Sequence, residues 1–384
     1  MKNLLLYFAS FLLFISCKKD ENDPIIIPEP TPIYHSFQGE IGVHDNSTIT
    51  SADNNLLICG NTTGNICVLK ISKTGSQVWR KEFKAQYYSR AAGITESGNQ
   101  EVFVCGTTYR YDSIAGSDVL LIKLDANGDT LWTKIYGGDQ DDFGDFIIPT
   151  NDDHLLICGY SYSFNYEGYA DIYLIKVNTN GDTLWTKNYI ASGDQFSHHI
   201  LQTQNGEYLI SGTNVDAASN KELYFLKVNA DGTQVWNKKI GQGIGKWGYA
   251  TIELSNGDFM TCGRIDKGDD DQILIVKTDS QGNVYWEKEY GETYASERGN
   301  SMKINADGTF IITGSSVQDH SGQHGIVLLK IDQNGDQIFL KDFGHNFVDY
   351  GQNVLKDSND DNIITGEYGG AIFMTRTDSD GVFK

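Results

Sequence analysis

The chain has 384 residues, with 30 Lys and Arg against 51 Asp and Glu, a formal net charge of −21. So acidic a surface repels nucleic-acid backbones, which excludes a nucleic-acid binder. With 39% hydrophobic and 12% aromatic residues, 41 Gly and only 5 Pro, the composition is too apolar for a disordered tail and requires a buried core.

Residues 1–16 read as an export signal. Lys2 precedes an apolar run from Leu4 to Ile15 that is too short to cross a bilayer as a helix. Ser16 directly before Cys17 resembles the lipobox of bacterial lipoproteins, which implies a lipid anchor on Cys17 and an outer-membrane location, facing either the periplasm or the cell surface. The following Lys18-Lys19-Asp20-Glu21-Asn22-Asp23 resembles the charged tag that some Gram-negative lineages use for surface export; an ordinary polar spacer is the other reading. Residues 17–32 are then the acylated Cys and a tether, extended because four of the five prolines fall between Pro24 and Pro32.

Residues 33–384 repeat. An apolar run ending in Gly recurs at Gly60, Gly106, Gly159, Gly212, Gly263, Gly314 and Gly366, every 46 to 53 residues. A cation stands five residues before a second Gly in each copy: Lys70, Lys123, Lys176, Lys227, Lys277, Lys330 and Arg376. An aromatic follows that Gly by four, as Trp79, Trp132, Trp185, Trp236, Trp286 and Phe339. Each copy holds four short β-type runs; in the third copy these are Asp142 to Thr150, His154 to Ser161, Ala170 to Asn178 and Asp182 to Tyr189, here strands A to D. The turns between C and D read DANGD, NTNGD, NADGT, DSQGN and DQNGD, whose Asn-Gly and Asp-Gly centres accept the positive φ of tight hairpins. Seven such units predict an all-β, seven-bladed β-propeller with four antiparallel strands per blade. The last copy stops where strand D would begin, while Tyr34 to Gly39 matches the end of a strand D. The N-terminal strand is therefore expected to complete the last blade, pairing Tyr34 to Gln38 with Ala371 to Asp378 and closing the ring.

Asp125-Ala126-Asn127-Gly128-Asp129-Thr130-Leu131-Trp132 and its equivalents resemble the tryptophan-docking repeat of the quinoprotein-like propellers, and the LW-x-K-x-Y-G-G pattern resembles uncharacterised propeller lipoproteins. The resemblance covers nearly the whole repeat region and implies that each Trp packs between adjacent blades. Quinone-dependent dehydrogenases of that family are expected to carry eight blades, adjacent cysteines and an acidic calcium site. This chain has seven copies and no adjacent Cys pair, so no cofactor and no catalytic residue is expected from the resemblance.

Cys59, Cys105, Cys158 and Cys262 share one repeat column and read as small buried residues, since equivalent positions of different blades lie too far apart for disulfides. A cross-strand bridge from Cys59 to Cys67 is conceivable. The DANGD-type turns mimic the start of a calcium loop, but Tyr136 stands where the twelfth-position acid would be needed, so they read as turns and no metal is expected. No zinc, nucleophile-elbow or phosphate-loop motif occurs.

A ligand site is expected at the axial funnel, where the D-to-A and B-to-C loops of all blades converge. The start of strand A places there His44, Arg90, Phe143, Phe196, Trp247, Arg298 and Tyr350, one per blade, preceded by Asp142, Gln195, Lys246, Glu297 and Asp349. The alternative for the phenylalanines is packing between strands. Tyr160, Tyr162, Phe164, Tyr166 and Tyr169 crowd one B-to-C loop, with Arg264, Asp266, Asp269, Asp270, Asp271, His320 and His324 on the same rim. The binding candidates are Tyr162, Tyr166, Arg90, Trp247, Arg298, Tyr350, Asp142 and Glu297. The expected role is a monomeric, non-catalytic binding module for a glycan or an envelope protein. A carbohydrate hydrolase or lyase using Asp142, Glu297 or Asp349 is the second reading, and an outer-membrane assembly scaffold the third.

Overall fold

The apolar runs of the repeat are buried over their whole length rather than on alternate residues, because each sheet is covered on both faces by its neighbours. The computed structural model describes residues 35–38, 40–41, 47–84, 88–109, 116–241, 244–268, 270–292, 295–318, 324–344 and 349–384, and all that follows concerns these. They form seven antiparallel sheets in ring order. Blade 3 contains Asp142–Pro149, Leu155–Ser161, Asp171–Val177 and Thr183–Tyr189, within one residue of the expected strands A to D. The expected signal, Cys17 and the tether lie outside the described residues, as do Tyr34, His44, Asp269 and His320.

The ring closes as expected. His35–Gln38 is the outer strand of blade 7, running from His35 opposite Met374 to Gln38 opposite Ala371. Strands A of successive blades pack against one another and so surround the axis. In blade 1 this inner position is filled by two short pieces, Glu40–Ile41 and Thr48–Thr50.

Two repeat columns acquire a physical cause here. In six blades the pairing of strand A with strand B slips by one residue, for example between Gly144 and Phe146 and between Gly299 and Ser301. These bulges push the carbonyl of the strand-A starting residue over the anchor Gly of strand B. A Cβ on Gly159 would lie 1.8 Å from the Phe143 oxygen, and on Gly314 1.7 Å from the Arg298 oxygen, so only Gly fits. The Gly of each C-to-D turn, besides its positive φ, lies beneath the aromatic of the preceding blade: Gly181 under Trp132, Gly232 under Trp185, Gly381 under Phe339. At the closure Gly75 meets His35 instead. The docking tryptophans therefore sit between blades as expected, but they are only half-buried, because strand D is the outer rim.

The cation column also has a use. Lys70 pairs with Asp53 at 2.7 Å, Lys123 with Glu101 at 2.8 Å, Lys176 with Asp152 at 2.6 Å and Lys227 with Glu207 at 2.7 Å. Each ammonium is buried and each acid sits near the A-to-B turn of the same blade, so the pair ties strand C to that turn. Cys59, Cys67, Cys105, Cys158 and Cys262 are buried free thiols. Cys59 stands opposite Val68 and Cys67 opposite Gly60, one residue out of step, so their side chains leave opposite faces of the sheet and no bridge joins them. Burial pushes the Cys67 thiol up to about 11.

Candidate functional site

Side chains alternate along strand A, so the two columns proposed for the funnel mouth leave the strand in opposite directions. The column of Arg90, Phe143, Phe196, Arg298 and Tyr350 opens into two basins on one face. Of the preceding column, Glu297 also borders the second basin, whereas Asp142, Gln195, Lys246 and Asp349 are buried outside both basins. Asp142, fully buried, accepts the Gly138 N–H at 2.6 Å and the Ser163 hydroxyl at 2.8 Å through Oδ2. The Gln195 amide donates to the carbonyls of Ser192 and Gly193, Lys246 pairs with Glu287, and Asp349 Oδ1 accepts the Gly369 N–H at 3.3 Å.

The first basin, about 270 Å³, spans blades 2 to 4. Phe143 stacks on Tyr160 with ring centroids 4.6 Å apart, and Phe196 meets the same tyrosine edge-on at 4.9 Å. Exposed Arg90 forms the far wall. The bulge residues Asp145 and His198 complete it; neither was predicted, because a bulge is a relation between two strands that spacing along one strand does not show. From the tyrosine-rich loop, Tyr160 is the residue that lines the basin. Tyr162 packs edge-on against it at 6.2 Å, and Tyr166 is fully exposed outside both basins.

The second basin, about 160 Å³, brings Glu297, Arg298 and Tyr350 together with Arg264, Asp271 and His324 of the expected rim. Arg264 Nη1 donates to Asp271 Oδ2 at 2.8 Å, and its guanidinium lies 3.8 Å from the centre of the Trp247 ring. Trp247 thus lines neither basin but fixes the arginine that lines one. Arg298 Nε donates to Ser315 Oγ at 2.9 Å, with its guanidinium 5.3 Å from the Tyr350 ring. Glu297 is 3% exposed; its Oε1 accepts the Glu292 N–H at 3.0 Å, and its Oε2 has no hydrogen-bond partner among the described residues. Burial pushes its carboxyl up to about 7, helped by the charges of Asp342, Glu292 and Asp270. Burial likewise raises Asp271, against the pull of Arg264, and lowers His324, which Arg298 lowers further.

Several solved structures share this architecture. The WD40 propeller domain of Doa1 is 11% identical, with 91% of this chain and 99% of that chain covered at a TM-score of 0.53. Puromycin hydrolase is 11% identical, with 90% and 53% covered at 0.57, and a PL25 ulvan lyase is 9% identical, with 90% and 95% covered at 0.52. At such identities the likeness is one of fold alone. No curated protein matches the chain. A family model described as outer membrane protein assembly factor BamB matches residues 35–288, within the quinoprotein-like repeats. By that match over most of its length, the chain belongs to the BamB-like family of propellers linked to outer-membrane assembly.

Proposed function

We propose that this protein is a monomeric, non-catalytic binding module of the bacterial envelope, held to the outer membrane through acylated Cys17, with a glycan or an envelope protein as its ligand at the funnel mouth. One observation carries the reading: the strand-A column, free of loop-capping duties, presents arginines and aromatic rings to two open basins on the same face. Planar rings with polar edges bind either sugars or protein anchors at low entropic cost. The family's link to outer-membrane assembly supports an envelope partner. The test is retention of solubilised envelope proteins and glycans on the immobilised chain. Loss of retention in Tyr160→Ala and Phe196→Ala, with no turnover by the parent protein, supports the reading; undiminished retention by both variants overturns the site. Cys17→Ala should release the protein from membranes.

A second reading, a hydrolase or lyase, draws on Glu297, whose proton is poised near neutral pH beside Arg298. Asp142 and Asp349 support it less, being buried beneath loops. Turnover of an envelope glycan that disappears in Glu297→Gln would establish it in place of the first.

A further inference from the structure

The chain has six arginines, and five lie in the described residues. Three of these are ion-paired: Arg80 with Glu82, Arg264 with Asp271, and Arg376 with Asp357 and Asp361. The other two, Arg90 and Arg298, have no carboxylate partner among the described residues, and they are the two arginines of the strand-A column, one in each basin. Among the described residues no lysine lines either basin, although lysines far outnumber arginines in the chain. In a molecule of net charge −21, two guanidiniums at the funnel mouth with no ion-pair partner among the described residues are placed to receive an anion. A guanidinium fork fits a carboxylate with two parallel hydrogen bonds.

The second basin says more about what bears that carboxylate. Besides Arg298 it holds the acceptors Asp271 and Glu297, and three buried polar atoms there have no hydrogen-bond partner among the described residues: Arg264 Nε, Glu297 Oε2 and His324 Nδ1. Buried polar groups are normally satisfied, and a ligand is one way to satisfy these. Acceptors beside a cation suit a group carrying hydroxyls next to its carboxylate, whereas a bare polyanion would meet Asp271. Tyr350, with Arg298 5.3 Å and His324 4.8 Å from its ring, closes one side of the basin. The volume, about 160 Å³, admits one such unit and not a folded segment.

We propose that the funnel mouth binds a uronic-acid polysaccharide, one sugar carboxylate on Arg298 and another on Arg90, with hydroxyls of the first sugar on Asp271 and Glu297. This rests on the binding reading above and names its ligand class. A polymer acidic at every residue engages both arginines, and the linked contacts reinforce each other.

The experiment measures binding of polygalacturonate to the purified full chain by calorimetry, with neutral galactan of similar length and poly-glutamate as comparators. Polygalacturonate should bind and galactan should not, with affinity falling as salt rises. Arg298→Gln and Arg90→Gln should each weaken binding about tenfold, as loss of a charge-assisted hydrogen-bond pair implies. Arg298→Lys, which keeps the charge without the fork, should fall between. Arg90 is exposed, so its replacement leaves the fold intact even if Arg298 variants unfold. Equal binding of galactan, or wild-type affinity in Arg90→Gln, overturns the proposal. Equal binding of poly-glutamate overturns the sugar assignment in favour of an acidic protein. Retention of an envelope protein untouched by either arginine variant overturns this inference while leaving the binding module standing; a chain that retains no envelope component refutes both.

Discussion

Replacing Glu297 by Gln removes a carboxyl whose proton affinity the fold has raised from an ordinary value of 4.5 to about 7, chiefly through burial. Between those two values the folded chain holds a proton that the unfolded chain has released. The stabilisation this group contributes is therefore full below pH 4.5 and is lost as pH climbs through 7. The full shift corresponds to roughly 3 kcal/mol. Water entering the open basin screens part of it, so the cost appearing between pH 5 and 7.5 is about 2 kcal/mol. Gln keeps the side-chain shape and the oxygen that accepts the Glu292 N–H, but cannot titrate. Urea unfolding of both proteins across this window should show the parent losing about 2 kcal/mol relative to Glu297→Gln. Parallel stability curves would mean that the carboxyl titrates normally and would refute the account of the basin as a desolvated site.

The repeat columns make further claims. Gly159→Ala places a Cβ 1.8 Å from the Phe143 oxygen and should destabilise by more than about 3 kcal/mol in chemical unfolding, whereas Gly98→Ala, with nothing within 4 Å, should be close to neutral; equal effects would contradict the bulge explanation. Trp185→Ala should cost about 2 to 3 kcal/mol, less than a fully buried Trp, because the ring is half-exposed where it covers Gly232; a midpoint shift equivalent to under 1 kcal/mol would show that docking contributes little. A chain beginning at residue 34 should unfold like the parent. One beginning at residue 40 leaves the edge of Ala371–Thr377 unpaired and should melt several degrees lower and self-associate in sizing chromatography. Identical behaviour of the two truncations would sink the closure.

Much of the fold was legible because propeller order is local. A Gly beneath a carbonyl, a Gly beneath a Trp, and a Lys reaching its own blade's turn each leave a mark at fixed spacing, and seven repetitions make the marks visible. The closing strand was legible for the same reason, since what one terminus lacked the other supplied. The site was legible only in part. Arg298, Tyr350 and Glu297 share a basin, whereas Asp142, Gln195, Lys246 and Asp349 lie outside both, because spacing alone does not say which way a side chain turns. Asp145 and His198 went unseen as site residues because the bulge that exposes them is a relation between two strands.

The sequence by itself determined the number of blades, their strand order and the residues at their contacts, since each is written into a repeat of about fifty residues. Which arginines are paired, which carboxyl is desolvated and which aromatic rings meet was decided only by the tertiary structure. Those contacts join non-repeating loops of three neighbouring blades, and the free energy that sets them depends on distance and burial across the ring rather than on order along the chain.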